Sequence, residues 1–223
     1  VLSGYGQSGV TDHATGGACI PEFLLQYEES DWVFLRRLAS HFGTYLLADA
    51  TDACGKVYFG IPEISYGTVL DRQDHTMLHY ARVLEKEGVL SQEASCWNVM
   101  VRFFLRMGET LTFNGIEAVV TAMRLHTEKG ELVYSYVLAR RAGIRREKEK
   151  NPGIFGMSIP ATVMERSGNR IRVHFEIDPE YEASEKTKYF TYAIESSSFY
   201  CMPEEGSQVH IYFPDHDEQG AVA

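Results

Sequence analysis

Between residues 28 and 42 the apolar side chains recur at helical spacing. Trp32, Leu35, Leu38, Ala39 and Phe42 form one stripe, which predicts an amphipathic helix over 28–42 that packs against another surface. Ser30 or Asp31 is suited to cap its start, with Glu28 and Glu29 near the positive pole. Arg36, Arg37 and His41 fall toward the negative pole, and Gly43 is placed to take the left-handed conformation that ends a helix. Ahead of it, residues 1–21 are rich in Gly, Ser and Thr, have no period, and read as loop or extended chain.

From Thr44 the period shortens. Thr44–Leu47 and Val57–Phe59 are β-prone runs around a turn-rich stretch from Asp49 to Gly55, a predicted hairpin. Residues 61–95 are ambiguous, and Met77–Glu87 fits either a strand or a helix. Strand character then returns in Asn98–Phe104, Thr110–Phe113, Ile116–Leu125 and Leu132–Arg140. Asn114-Gly115 and Lys129-Gly130 separate the last three runs. Asn-Gly between β-prone runs is a strong hairpin signal, because a type I′ turn needs positive φ at both central residues. These four runs predict an antiparallel meander.

Residues 143–153 are charged, poor in apolar side chains and close on Pro152-Gly153, which marks a linker. Four more strands follow: Ser158–Met164, Arg170–Phe175, Tyr189–Ile194 and Gln208–Phe213, the first two joined at Ser167-Gly168-Asn169. Arg170, Arg172 and His174 alternate with Ile171, Val173 and Phe175, so one face goes to a core and the other to water. So short a stretch closes most economically as a five-stranded barrel.

The predicted fold class is therefore mainly β with one or two helices. It has a region at 1–142 that holds the helix 28–42 and the antiparallel meander, a linker at 143–156 and a small five-stranded barrel at 157–223.

Composition narrows the function classes. The chain has 223 residues, 44% hydrophobic and 23% charged, which suits a protein that buries a core. Its formal net charge of -10, with no Lys/Arg cluster interleaved with aromatics, argues against nucleic acid and anionic lipid as partners. No apolar run approaches the roughly 20 residues that span a bilayer. The chain opens on Val1-Leu2-Ser3-Gly4 with no signal-peptide pattern, which suggests a processed product or a piece of a longer protein. Cys19, Cys54, Cys96 and Cys201 are scattered and form no C-x-x-C pair, so a reducing assembly compartment is expected.

The order of parts resembles a known family. Gln26-Tyr27-Glu28-Glu29-Ser30-Asp31-Trp32-Val33-Phe34-Leu35, followed by Leu38 and Phe42-Gly43-Thr44-Tyr45, resembles the Q-Y-x-E-S-D-x-x-F-L segment of VgrG-type spike proteins and phage tail hub proteins. Gly108–Gly115 through Val119-Val120 and His126 resembles the later strands of the second hub barrel. Ala161–Val163, Gly168–Phe175, Pro203–Val209 and Phe213-Pro214 resemble the OB-type barrel that follows the hub.

The resemblance runs from about residue 22 to the end of the chain, although most of the first hub barrel and the β-helical needle are missing. It implies a structural hub or spike component of a contractile injection apparatus (type VI secretion system, phage tail or related particle) that joins the tube to the spike tip. The implied partners are further copies of itself in a homotrimer, tail tube and baseplate proteins, and a needle tip or effector. The implied location is assembly in the bacterial cytoplasm and outward delivery. The alternative is a carbohydrate or cell-wall binding module acting through a strand face of the small barrel.

Several motifs point to chemistry but read more simply as structure. Gly4-Tyr5-Gly6-Gln7-Ser8-Gly9 matches G-x-G-x-x-G without the strand before and helix after that a dinucleotide site needs. His75 and His79, with Asp71 and Asp74 nearby, lack a third metal ligand and read as solvated histidines. Asp215-His216-Asp217-Glu218 reads as a polar hairpin turn rather than a calcium loop. Ser196-Ser197-Ser198 sits in no nucleophile elbow, and the adjacent Glu204 and Glu205 point apart, unlike a glycosidase pair. The reading is of a non-enzyme with no catalytic, cofactor-binding or metal residues and no cofactor.

Overall fold

The computed structural model describes residues 9–49, 51, 55–71, 76–81, 95–179, 187–193 and 202–223, with backbone alone for 76–81. The fold is mainly β, with one α-helix among the described residues. Its strands form three sheets, none closed into a barrel by strand pairing among the described residues. The chain divides into two compact units. One comprises residues up to Ala18 together with Leu35–Lys148, the other Cys19–Phe34 with Glu149–Ala223.

In the larger unit, β1 (Val10–Asp12), β2 (Leu46–Asp49) and β3 (Lys56–Phe59) form a sheet in the order β1-β3-β2. The β2–β3 pair is the predicted hairpin. β1 comes from the stretch read as loop or extended chain and pairs in parallel with β3. The helix α1 (Asp31–His41) is shorter than the predicted 28–42. Glu28 has a φ of 49°, which no helical residue adopts, and Ser30 Oγ accepts from the Val33 N–H at 3.4 Å.

Its end is as predicted. Gly43 has φ 64°, the Gly43 N–H donates to Ser40 O at 2.9 Å, and the Thr44 N–H donates to Ala39 O at 3.1 Å, the paired bonds of a Schellman motif. Leu35 and Ala39 pack with Leu46 as expected. Trp32, however, is 41% exposed, while Arg37 is buried.

The second sheet of this unit holds β4 (Ile64–Leu70), β5 (Thr76–Ala81), β6 (Ser95–Val101), β7 (Glu109–Phe113), β8 (Ile116–Glu128) and β9 (Glu131–Ala139). Its order is β4-β7-β8-β9-β6-β5. Only β7-β8-β9 is a meander. β6 ends at Val101 rather than Phe104 and pairs with β9, not β7, and β4 joins β7 in parallel. The predicted four-run meander is thus corrected: 102–108 is a connection, not strand. Its Leu105 is 2% exposed, and the Leu105 N–H donates to Tyr136 Oη at 2.8 Å. Both predicted turns have positive φ at both residues: Asn114 48° and Gly115 78°, Lys129 50° and Gly130 85°. β5 resolves Met77–Ala81 as strand; the rest of that run lies outside the described residues.

In the smaller unit, β10 (Ser158–Ser167), β11 (Arg170–Phe175), β12 (Tyr189–Thr191) and β13 (Gln208–Tyr212) form an antiparallel sheet ordered β12-β11-β10-β13. The predicted alternation is present: Ile171, Val173 and Phe175 are buried while Arg170, Arg172 and His174 are not. Both edge strands bond to the last residues. The Tyr212 N–H donates to Val222 O (2.7 Å), the Val222 N–H to Tyr212 O (3.0 Å) and the Ala223 N–H to Thr191 O (2.9 Å).

The core here includes Ile159, Val163, Ile171, Phe190, Ile211 and Phe213, joined by Leu25 from far upstream. The expected boundaries (1–142, 143–156, 157–223) therefore need two corrections. Residues 19–34 pack with the small sheet, and the second half of the expected linker is core, since Asn151 and Ile154 are buried around the 3-10 turn Pro152–Ile154. Apolar Phe23, Leu25 and Ile154 bury more surface against this sheet than they would in solvent, at about 1.5–3 kcal/mol for each fully buried side chain.

Candidate functional site

The larger unit contains a polar cleft of ≈ 580 Å³ between its two sheets. Thr11 and His13 reach it from the β1 side, Lys56 and Tyr58 from β3, Ile64 and Tyr66 from β4, and Arg106 from the connection before β7. Two local features aim Tyr66 outward. β4 is bulged between Ser65 and Val69, and Gly67 has φ 73°, so the ring leaves the sheet and is 59% exposed. Arg106 Cζ stands 5.5 Å from the centre of that ring, and Lys56 Nζ stands 4.9 Å from the Tyr58 ring.

The cleft walls are tied by hydrogen bonds. Arg141 donates to Ile61 O (3.3 Å), Pro62 O (3.0 Å) and Thr110 Oγ1 (3.0 Å). The buried Glu109 carboxylate accepts from Thr68 Oγ1 at 2.6 Å and from the Arg106 N–H at 3.0 Å, which fixes the base of the Arg106 side chain. Tyr58 Oη donates to Asp49 Oδ2 at 3.2 Å. The Thr51 hydroxyl, 2.6 Å from Asp49 Oδ1, is the main cause holding the Asp49 carboxyl below the usual carboxylate range, and the charge of Arg106 adds to it. Close packing supports this wall: a Cβ on Gly108 would meet Pro62 Cγ at 2.5 Å.

In the smaller unit the outer face of the sheet carries a second polar cluster. Glu165 accepts from Arg172 at 2.9 Å and from Tyr189 Oη at 2.8 Å. The Arg172 and Arg170 guanidinium carbons stand 4.2 Å and 5.2 Å from the Tyr189 ring centre. Its bond to Glu165 is the main cause raising the Tyr189 phenol above its ordinary pKa.

The motif segment near the helix is also bonded inward. Gln26 Nε2 donates to Asp31 Oδ1 (2.7 Å) and Glu29 O (3.2 Å), and Asn151 Nδ2 donates to Tyr27 O (2.9 Å) while its Oδ1 accepts from the Gly153 N–H (2.9 Å).

The structure separates the motifs singled out from sequence. Glu204 and Glu205 are exposed at a turn, with Gly206 at φ 84°. Asp215–Glu218 is a turn entering the 3-10 turn Glu218–Gly220. Asp217 caps the Gln219 N–H at 3.0 Å and pairs with Lys150 at 3.1 Å, and Glu218 is buried rather than solvated. Lys188 Nζ donates to Gln219 O at 3.1 Å and Glu218 O at 3.3 Å, and burial lowers its pKa.

Of the histidine group, His79 lies on strand β5, which excludes a helical i, i+4 pair there. His75, Asp74, Ser196–Ser198, Cys54, Cys201 and residues 4–8 of the glycine motif lie outside the described residues. Cys19 and Cys96 are in no disulfide among the described residues. Among the described residues no group of three or more His, Cys, Asp or Glu is placed to hold a metal ion, and no helix is long and apolar enough to cross a membrane.

Sequence reasoning missed Lys56, Tyr66 and Arg106. They stand up to 50 positions apart with no shared motif, and only the pairing of β1, β3, β4 and β7 gathers them. No protein-family model matches this chain, and no curated protein matches it.

Proposed function

We propose that this chain is a structural hub and neck component of a spike in a contractile injection apparatus, acting as a homotrimer that links tube to tip. The observation that carries the reading is how the motif segment Gln26–Leu35 is used. Gln26 and Asp31 bond each other, Tyr27 O is held by the buried Asn151, and Leu35, like Leu25 just ahead of the segment, goes to a core. A segment whose polar groups serve its own fold suits a scaffold. The same holds for Glu109, Glu165 and Asp217, whose carboxylates accept bonds that position backbone or neighbouring side chains. Rigid assemblies of this kind rest on large obligate interfaces, typically over ~2,000 Å². Sedimentation of the product purified from its native host is expected to give a trimer; a monomer at every concentration would overturn the reading.

The rival reading is a glycan-binding module using the outer face of the small sheet. Tyr189 is the aromatic residue that favours it, but Arg170 and Arg172 stand over the ring where a sugar would stack. Retention on peptidoglycan that is lost on Tyr189→Ala would favour this rival.

A further inference from the structure

We propose that copies of this chain join head to tail, with the β8–β9 ribbon of one copy docking into the Lys56–Arg106 cleft of the next. The inference rests on the homotrimer reading and names the surfaces that would make it.

The ribbon is the first half of the case. β7 pairs with β8 only up to Val119, and the Gly108 N–H adds one bond to Val120 O. β6 pairs with β9 only from Tyr134 onward. From Ala122 to Glu128 the outer edge of β8 therefore has no strand partner among the described residues. Beyond the Leu125–Tyr134 pair the hairpin runs on as two strands alone among the described residues, an arrangement that is marginal in water. A long edge without Pro or Gly is also a template for intermolecular pairing. The ribbon's register puts Met123 opposite Tyr136, Leu125 opposite Tyr134 and Thr127 opposite Leu132, so these share one face. Met123, Leu125 and Leu132 are 38%, 51% and 49% exposed, and Phe104, against Tyr134, is 45% exposed. A contiguous apolar face of this kind marks an interaction surface.

The cleft is the second half. It lies beside β4, the edge strand of the same sheet, which exposes Tyr66 (59%) and Val69 (57%). Lys56 and Arg106 raise cations over its tyrosines, with Glu63 as the acid among the lining residues. The ribbon tip Glu128-Lys129-Gly130-Glu131 offers the complementary charge. Glu128 has no ion pair among the described residues, while Glu131 is held by Arg102 at 2.8 Å on the rim.

Ribbon and cleft are different surfaces of one chain. A twofold ribbon-to-ribbon contact would leave the cleft and the β4 edge uncovered in both copies. A head-to-tail contact whose rotation closes into a ring covers both surfaces in every copy.

The test uses charge reversal at exposed positions, which leaves the monomer folded. Glu128→Lys and Arg106→Glu, each alone, are expected to abolish the trimer in sedimentation at micromolar concentration, and the double variant to restore it. Leu125→Asp is expected to abolish it without rescue. Far-UV circular dichroism checks that each variant keeps its strands.

A trimer indifferent to all three substitutions overturns the inference while leaving the homotrimer reading intact; the cleft would then serve another acidic partner. A dimer or open polymer that responds to them supports the inference and overturns the threefold reading. A monomeric wild type overturns both.

Discussion

In the small sheet, Ile171, Ile211 and Phe213 have no exposed surface, and Val222 and Ala223 bond to both edge strands. In the six-stranded sheet, Val99, Val120 and Leu138 are just as buried, yet two of its strands run past their neighbours and end with Leu125 and Leu132 half exposed. Both sheets draw on the same kinds of residue. What differs is strand length against register. β10 pairs with β13 over Ser158–Thr162 and with β11 over Ala161–Ser167, which leaves only short one-sided ends, whereas β8, with 13 residues, outruns a five-residue β7 and is one-sided from Ala122 to Glu128 among the described residues. One sheet thus completes its own core, and the other carries apolar surface that its own chain leaves exposed.

Substitutions can break that comparison in order of expected effect. Phe190→Ala in the small sheet removes a ring that is 1% exposed and packs against Phe23 and Phe175, at an expected loss of about 3–5 kcal/mol by urea unfolding. Gly108→Ala combines a φ of 78° with a Cβ driven into Pro62, so about 2–3 kcal/mol is expected in the same assay, confined to the larger unit. Asn151→Ala leaves Tyr27 O and the Gly153 N–H without their partner in a buried site, for about 1–3 kcal/mol.

Leu125→Ala makes the contrast with Phe190 sharp. On the isolated monomer it is expected to change stability by no more than about 0.5 kcal/mol, because the side chain is already half in water. A loss as large as that for Phe190 would show that the ribbon face is core after all.

The smallest effect concerns pH. The Gln219 N–H, and then Lys150, hold the Asp217 carboxyl below the usual carboxylate range. Its contribution is therefore present above the unfolded value, about 4, and is lost as pH falls through the lower folded value. Asp217→Asn is expected to lower stability slightly near neutrality, where the carboxylate's contribution is present, and to converge with the wild type as pH falls through the lower folded value, so its stability–pH curve is flatter in acid.

Much of the local structure was legible in the residues. The alternation from Arg170 to Phe175, the Asn114-Gly115 and Lys129-Gly130 turns and the Gly43 helix end all follow from preferences within a few positions of one another. The exit of Trp32 from the apolar stripe and the burial of Arg37 were not legible, because helical spacing defines a face without saying how far its partner surface extends. Of the candidate sites, the sequence supplied the ribbon's apolar residues but nothing that set them apart from core.

The sequence by itself therefore determined a mainly β chain with a capped helix near residues 31–41, the positions of its tight turns, and which strand residues face inward in β11. Each of these depends on backbone geometry that a residue and its near neighbours dictate. Only the tertiary structure decided that β6 pairs with β9, that residues 19–34 join the small sheet, that Lys56, Tyr66 and Arg106 share a cleft, and that β8 outruns β7. Those outcomes rest on contacts between residues far apart in the chain. They are selected by total burial and register, and no local preference encodes them.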